Sequence, residues 1–190
     1  MPKIIDDKQI YRDVMLAVTK YGYAAATTKK LAKAAGIGEV TLFRKYGNKA
    51  QLVKQAMIDL AEESKFEETV RYTGDLQADL LSVVRGYQDS AKTNGLFFYT
   101  ILVEAARHPE LLDALAALQT RLGTVGALLM RYQAEGALKQ MHPIHMLTSL
   151  VGPLIAMNMM QSALATMPLP PIDLEVHVRN FIEGHGGDSV

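Results

Sequence analysis

Apolar residues recur at three- and four-residue intervals along almost the whole chain, and no segment alternates as a half-buried strand would. That pattern predicts an all-α fold. Over residues 8–21, Ile10, Val14, Ala17, Val18 and Tyr21 share one helical face, and Gly22 ends the run. Thr27 or Thr28 can cap a second helix with Leu31 and Ala35 on its inward side. Gly36 supplies the backbone freedom of a sharp turn, and Ile37 can plug the gap between helices. A third helix over 39–46 turns Leu42 and Tyr46 inward. Asn48 then caps a fourth helix, with Gln51 placed to complete a capping box and Leu52, Val53, Ala56, Met57 and Leu60 as its apolar stripe.

Glycine and proline divide the rest at 73–74, 93–95, 108–109, 136 and 168–171. Helices are expected at 75–93, 96–107, 110–135, 144–166 and 172–183, about nine in all, with GHGGDSV as a frayed tail. Residues 144–167 form 24 positions without a formal charge, long enough to span a bilayer. Yet His145, Thr148, Ser149, Asn158, Gln161 and Ser162 are polar, Gly152–Pro153 interrupt the middle, and no Trp or Tyr marks the ends. A helix covered by its own chain and by a partner subunit is the reading preferred here, with no membrane.

Composition adds three constraints. Apolar residues make up 49% of the 190, enough for a packed core. There is no cysteine, which removes disulfides and thiolate metal sites and fits a reducing cytoplasm. The first residues, MPKIIDDKQ, lack the apolar run of a secretory signal, so a cytoplasmic location is expected. The net charge of zero conceals an asymmetry: residues 1–50 carry +6 and the remainder −6. A polyanion is the natural partner of such a basic segment. The organisation expected is a DNA-reading domain over 1–50 and a larger helical body over 51–190.

Residues 27–49, TTKKLAKAAGIGEVTLFRKYGNK, read as helix, glycine turn, short helix and capped helix start. This is the layout of a helix-turn-helix, which lays its second helix in the major groove of DNA. Gly22, Ala26-Thr27-Thr28, Leu31-Ala32, Ala35-Gly36-Ile37, Thr41-Leu42-Phe43, Tyr46, Lys49 and Leu52-Val53 together resemble the TetR family of bacterial transcriptional regulators. About 45 N-terminal residues carry the likeness; the body agrees only in length, helix count and helix order. The resemblance implies a homodimer whose first three helices and fourth-helix start bind double-stranded operator DNA. It implies a partner-packing role for the last two helices and a small-molecule pocket in the middle whose occupation releases the operator.

Phosphate contacts set affinity and register, whereas base-edge contacts set sequence preference. Thr28 and Lys29 suit phosphate, since a hydroxyl, a cation and free N–H groups converge at a helix start. In similar proteins a lysine at the position of Lys49 contacts phosphate. With Leu42 and Tyr46 inward, the third helix leaves Glu39, Val40, Thr41, Phe43, Arg44 and Lys45 to face outward. Arg44 can fork onto guanine O6 and N7 or take a phosphate. Lys45 suits phosphate, and Thr41 suits phosphate or a thymine methyl. Glu39 can accept from cytosine N4 or simply favour the helix N-terminus. Phe43 stands where the family commonly has tyrosine, so it lacks that hydroxyl but can pack on sugar or a thymine methyl.

In the body, the resemblance points to the helices carrying Tyr87, Phe97, Phe98, Leu102, Leu129 and Met130 as the effector lining, with Gln88, Thr100, Glu104, Asn158 and Gln161 as polar groups. Each apolar member also reads as plain core. Met146, Leu150, Leu154, Met157 and Gln161 at helical spacing, with Gly152 for close approach and Val178, Phe181 and Ile182 on the last helix, form a candidate dimer interface or an intrachain core. Pro153 is expected to bend its helix. Glu104 with His108, and His142 with His145, have metal-compatible spacing, but Pro109 and Pro143 place both pairs at helix ends, where histidines bond carbonyls. No phosphate loop or nucleophile motif is present, so catalysis, a cofactor and a metal are not expected. The reading is a ligand-responsive regulator, a repressor released by a small, largely apolar effector. Its alternatives are a dimeric DNA-binding protein without a pocket, and an activator.

Overall fold

A computed structural model describes residues 6–94, 96–164, 166–167 and 169–187. The fold is all-helical: α1 Asp7–Tyr21, α2 Thr28–Ala34, α3 Glu39–Tyr46, α4 Lys49–Glu63, α5 Phe66–Thr69, α6 Leu76–Asn94, α7 Phe97–Ala105, α8 Ala116–Ala134, α9 Pro143–Ala163 and α10 Leu174–His185. Two departures from the expected helices have local causes. The fourth helix stops at Glu63 because Lys65 takes a left-handed conformation (φ 48°), and α5 restarts after it. The expected helix 110–135 opens instead as a 3-10 segment, Pro109–Leu115, before α8 begins.

The chain forms two compact units. The first holds residues up to Glu63 together with Asn94–Gln119. Its core gathers Ile10, Val14, Val18, Leu31, Leu42, Leu52, Met57, Leu60, Phe97, Ile101 and Leu111, among others. Tyr21, expected inward, is largely exposed, because α1 ends there and Gly22 (φ 75°) redirects the chain. Full burial of a leucine side chain stabilises by about 1.5–3 kcal/mol, so Leu42 is a main anchor of the eight-residue α3.

The second unit holds Ser64–Thr93 and residues from Thr120 onward. Phe66, Leu80, Val83, Val84, Val125, Leu129, Tyr132, Met146, Leu150, Leu154, Val178 and Phe181 pack in its core. This corrects the interface expected from spacing. Met146, Leu150, Leu154, Val178 and Phe181 are buried within the chain itself, and Ile182 packs against the same core. Helix α9 is apolar on nearly every side, so spacing alone could not say which stripe its own chain would cover. Its length and apolarity would also suit a membrane span, but the Met146–Leu150–Leu154 side is taken by this core. Met157 and Gln161 are half-buried. Among the described residues, a Cβ added at Gly152 would meet nothing within 4 Å. His142 accepts from Ile144 N–H at 3.3 Å and so caps α9, a helix-end role.

Asp79 is among the polar groups buried in this second unit. The Asp79 carboxylate accepts from Tyr132 Oη at 2.5 Å, Thr73 Oγ1 at 2.6 Å and Thr73 N–H at 2.7 Å. Burial pushes its pKa up, but the bonds from Thr73 and Tyr132 outweigh burial and hold it below the ordinary value of 3.8. A lowered folded-state pKa stabilises fully above the unfolded value and is lost as pH falls through the folded one. Tyr132→Phe is expected to cost about 2 kcal/mol at neutral pH in urea unfolding, the scale of a hydrogen bond to a charged group. The stability gap between wild type and Asp79→Asn is expected to narrow as pH falls below 3.8; a gap independent of pH would contradict this account of Asp79.

Candidate nucleic-acid interface

The interface is built from α2, the Gly36 turn and α3. Thr27 Oγ1 accepts from Lys30 N–H at 3.4 Å, so Thr27, not Thr28, caps α2. At the far end Gly36 adopts φ 65°, and Ile37 N–H closes the turn on Ala32 C=O at 3.2 Å. That left-handed step costs glycine no Cβ clash and sends the chain sharply into α3. Asn48 Oδ1 accepts from Gln51 N–H at 2.9 Å, which starts α4 one residue later.

With Leu42 pinned and Tyr46 half-buried, the opposite side of α3 is open. Val40 is 81% exposed, and Glu39, Arg44 and Lys45 are exposed with it. Thr41 is half-buried. Phe43 departs from expectation: it is half-buried and packs against the first core instead of standing free. The core-facing stripe of α3 is therefore wider than the Leu42–Tyr46 pair, because a short helix set against several others is covered on more than one row.

The cations fall into two groups. Among the described residues, the side chains of Arg44, Lys29 and Lys33 are exposed and make no hydrogen bond or ion pair. Lys45, Lys49 and Lys30 are engaged. Lys45 pairs with the Asp7 carboxylate, which also accepts from Tyr46 Oη at 2.6 Å. The Lys45 and Tyr46 hydrogen bonds hold the Asp7 carboxyl below its ordinary range, and burial with the Asp7 bond pushes the Tyr46 phenol up. Lys49 donates to Tyr23 C=O at 2.9 Å and lies 3.9 Å over that ring. Partial burial lowers its ammonium pKa. Lys30 donates to Ala25 C=O at 3.0 Å. These partners lie far off in the chain, so the engagement of Lys45 and Lys49 had no signal in local sequence. Thr28 is half-buried at the start of α2 beside Lys29.

The residues assigned to an effector are divided between the units. Tyr87, Gln88 and Asn158 come together in the second: Asn158 Nδ2 donates to Tyr87 Oη at 3.2 Å and to Gln88 Oε1 at 3.4 Å. Gln161 is half-buried, Leu129 is fully buried core and Met130 is exposed. Phe97 and Phe98 are instead packed into the first core, Leu102 is exposed, and Thr100 bonds its own helix at Leu96 C=O. Glu104 is also corrected. It accepts from Tyr23 N–H at 3.2 Å in the α1–α2 turn, and it lies 3.5 Å from His108 Nε2. A Cβ at Gly22 would fall 2.9 Å from Glu104 Oε1, so the carboxylate would have to shift, and the φ of 75° at Gly22 itself favours glycine. Tyr23 lies edge-on to His108, and burial with Glu110 pushes its phenol up to about 12.

Comparison with known proteins agrees with this geometry. Residues 18–56 match the family model described as bacterial regulatory proteins, tetR family. YvkB of Bacillus subtilis, an uncharacterised HTH-type transcriptional regulator, is 35% identical over 77 residues, 40% of this chain and 40% of that protein. The DNA-binding transcriptional repressor TetR of Mycobacteroides abscessus is 30% identical over 92 residues, 48% and 47% of the two chains. The chain thus spans less than half the length of the curated relatives it matches. The fold continues where that identity ends: the fatty acid degradation regulator FadR of Bacillus halodurans superposes with a TM-score of 0.72 over 94% of this chain and 96% of its own, at 17% identity. The sequence likeness to the TetR family of bacterial regulators thus lies in the N-terminal segment, and the rest of the chain shares the fold of the solved structures.

Proposed function

We propose that the protein is a ligand-responsive transcriptional regulator, a repressor that binds a palindromic operator as a homodimer and is released by a small, largely apolar effector. The observation that carries this reading is the open face of α3. Leu42 roots the helix in the core, Arg44 and Val40 stand clear on the other side, and Glu39 is exposed at the helix start. Lys29 and Thr28 at the start of α2 flank it as phosphate ligands, with Lys45 and Lys49 as further cations once their internal partners are displaced.

An eight-residue rod reads only a few base pairs, so two copies are needed for a unique site. The second unit supports such a dimer on the side of α9 that its own core leaves bare. His145, Thr148, Ala156, Met159, Met160 and Ala163 are exposed along that side, and Gly152 between them has free space above its Cα. A C2 pair would bury this stripe against its own copy. The effector reading draws on Tyr87, Gln88 and Asn158, which can orient a ligand through one hydroxyl and two amides. The sign of regulation draws on the repressor among the relatives; the alternative, an activator, uses the same face.

Selection of bound DNA from a random pool is expected to return an inverted repeat with half-sites about 10–10.5 bp apart or a multiple of that. Arg44→Ala is expected to cost about 1–3 kcal/mol per half-site and to relax preference at one position in each. Recovery of unrelated sequences, or an Arg44→Ala variant with unchanged selectivity, would overturn the DNA-reading assignment.

Ala156→Glu would bring two carboxylates together at the proposed two-fold contact. Sedimentation is expected to show a dimer for the wild type and a monomer for this variant, with helicity retained. A variant that keeps the dimer mass would move the interface elsewhere.

A further inference from the structure

Asp7 lies in the first turn of α1, outside residues 18–56 that carry the family match, and no role above requires it. Its position is nevertheless tied to the recognition helix. Its carboxylate accepts from Tyr46 Oη at 2.6 Å and pairs with Lys45 Nζ, two side chains in the last turn of α3. One turn further along α1, Tyr11 meets the Tyr46 ring edge-on at 5.7 Å. The start of α1 therefore clamps the C-terminal end of α3 through an aromatic contact, a phenol bond and an ion pair.

The three contacts differ in how easily they exchange. Tyr46 is half-buried, and its phenol donates to the same Asp7 oxygen that Lys45 engages. The Lys45 and Asp7 side chains are 39% and 44% exposed, so their pair is open to solvent. Such pairs contribute about 0.2–1 kcal/mol and are screened by salt. A DNA phosphate presents Lys45 with the same chemistry, an anionic oxygen accepting from an ammonium. The ammonium has three donors but a single charge, so a phosphate that draws Lys45 away from α1 weakens its pair with Asp7.

We propose that Asp7 is an intramolecular stand-in for an operator phosphate: it holds Lys45 in the free protein and gives it up to the DNA backbone, while its bond to Tyr46 keeps the helix end aimed. This rests on the DNA-binding reading above. Binding then exchanges one ion pair for another, and the uncovered Asp7 attracts a cation from solution. That uptake subtracts from the counterions the DNA releases, so the wild type is less salt-dependent than its phosphate contacts alone would make it. Asp7 thus tempers loose binding, in which no phosphate comes close enough to Lys45 to replace it.

The test is a double-mutant cycle on the full-length protein with its selected operator, over a range of salt. Asp7→Asn keeps an oxygen for Tyr46 but removes the charge that holds Lys45. It is expected to bind about two- to fivefold tighter than wild type, the range set by an exposed pair, with a steeper fall in affinity as salt rises. Both effects are expected to disappear when Lys45→Ala is present as well. Asp13→Asn, which removes a charge from the same helix where Gln9 and not a lysine is the partner, is the control for general charge. If Asp7→Asn tightens binding equally with and without Lys45, the effect is general charge and the proposal fails. If Asp7→Asn weakens binding to the same degree as Tyr46→Phe, with both variants folded by circular dichroism, Asp7 is only a structural support and the proposal fails. A wild type that binds no DNA would instead sink the regulator reading itself, and this inference with it.

Discussion

Leu42 is the constraint from which the rest of the interface follows. Helix α3 has eight residues, too few to persist alone in water. Its stability comes from tertiary contact, and Leu42 is its one fully buried side chain. Because a helix has only one direction opposite any given side chain, burying Leu42 also decides that Val40 and Arg44 face out. The Gly36 turn before α3 and its Gly47 C-cap, whose N–H donates to Phe43 C=O, define the two ends of the rod. The face that could meet DNA is thus a by-product of how the core is closed.

Around that rod the basic groups do not act as a uniform cloud. Arg44 and Lys29 are open, whereas Lys45 and Lys49 rest on Asp7 and on the Tyr23 carbonyl. Tyr23 is itself held by Glu104 through its N–H, so a carboxylate of α7 reaches the turn that receives Lys49. Under the proposed reading, a DNA backbone would compete for two of these cations and find Arg44 and Lys29 open.

Local chemistry made much of this legible in the sequence. Gly22, Gly36, Pro109 and Asn48 mark real boundaries, because turn and cap residues act on their own few neighbours. The Ser64–Lys65 break was not legible, since a left-handed lysine has no compositional sign. Nor was the 3-10 opening before α8, where proline fits either helix type. Phe43 looked exposed because an i,i+4 pair seemed to complete the buried side; the width of the covered row depends on neighbours that only tertiary structure supplies. In α9 every row is apolar, so Met146, Leu150 and Leu154 were as eligible for a partner subunit as for the core they occupy. Glu104 went astray for the same reason: its partner, the Tyr23 N–H, lies 81 residues away.

Guanine methylation interference on a selected operator tests the central claim most directly, because N7 lies in the major groove where α3 would sit. The account predicts two patches of interfering guanines on one face of the duplex, about one helical turn or a multiple apart, with the patch signal lost in Arg44→Ala. Interference confined to minor-groove adenines, or a single patch untouched by the loss of Arg44, would contradict it.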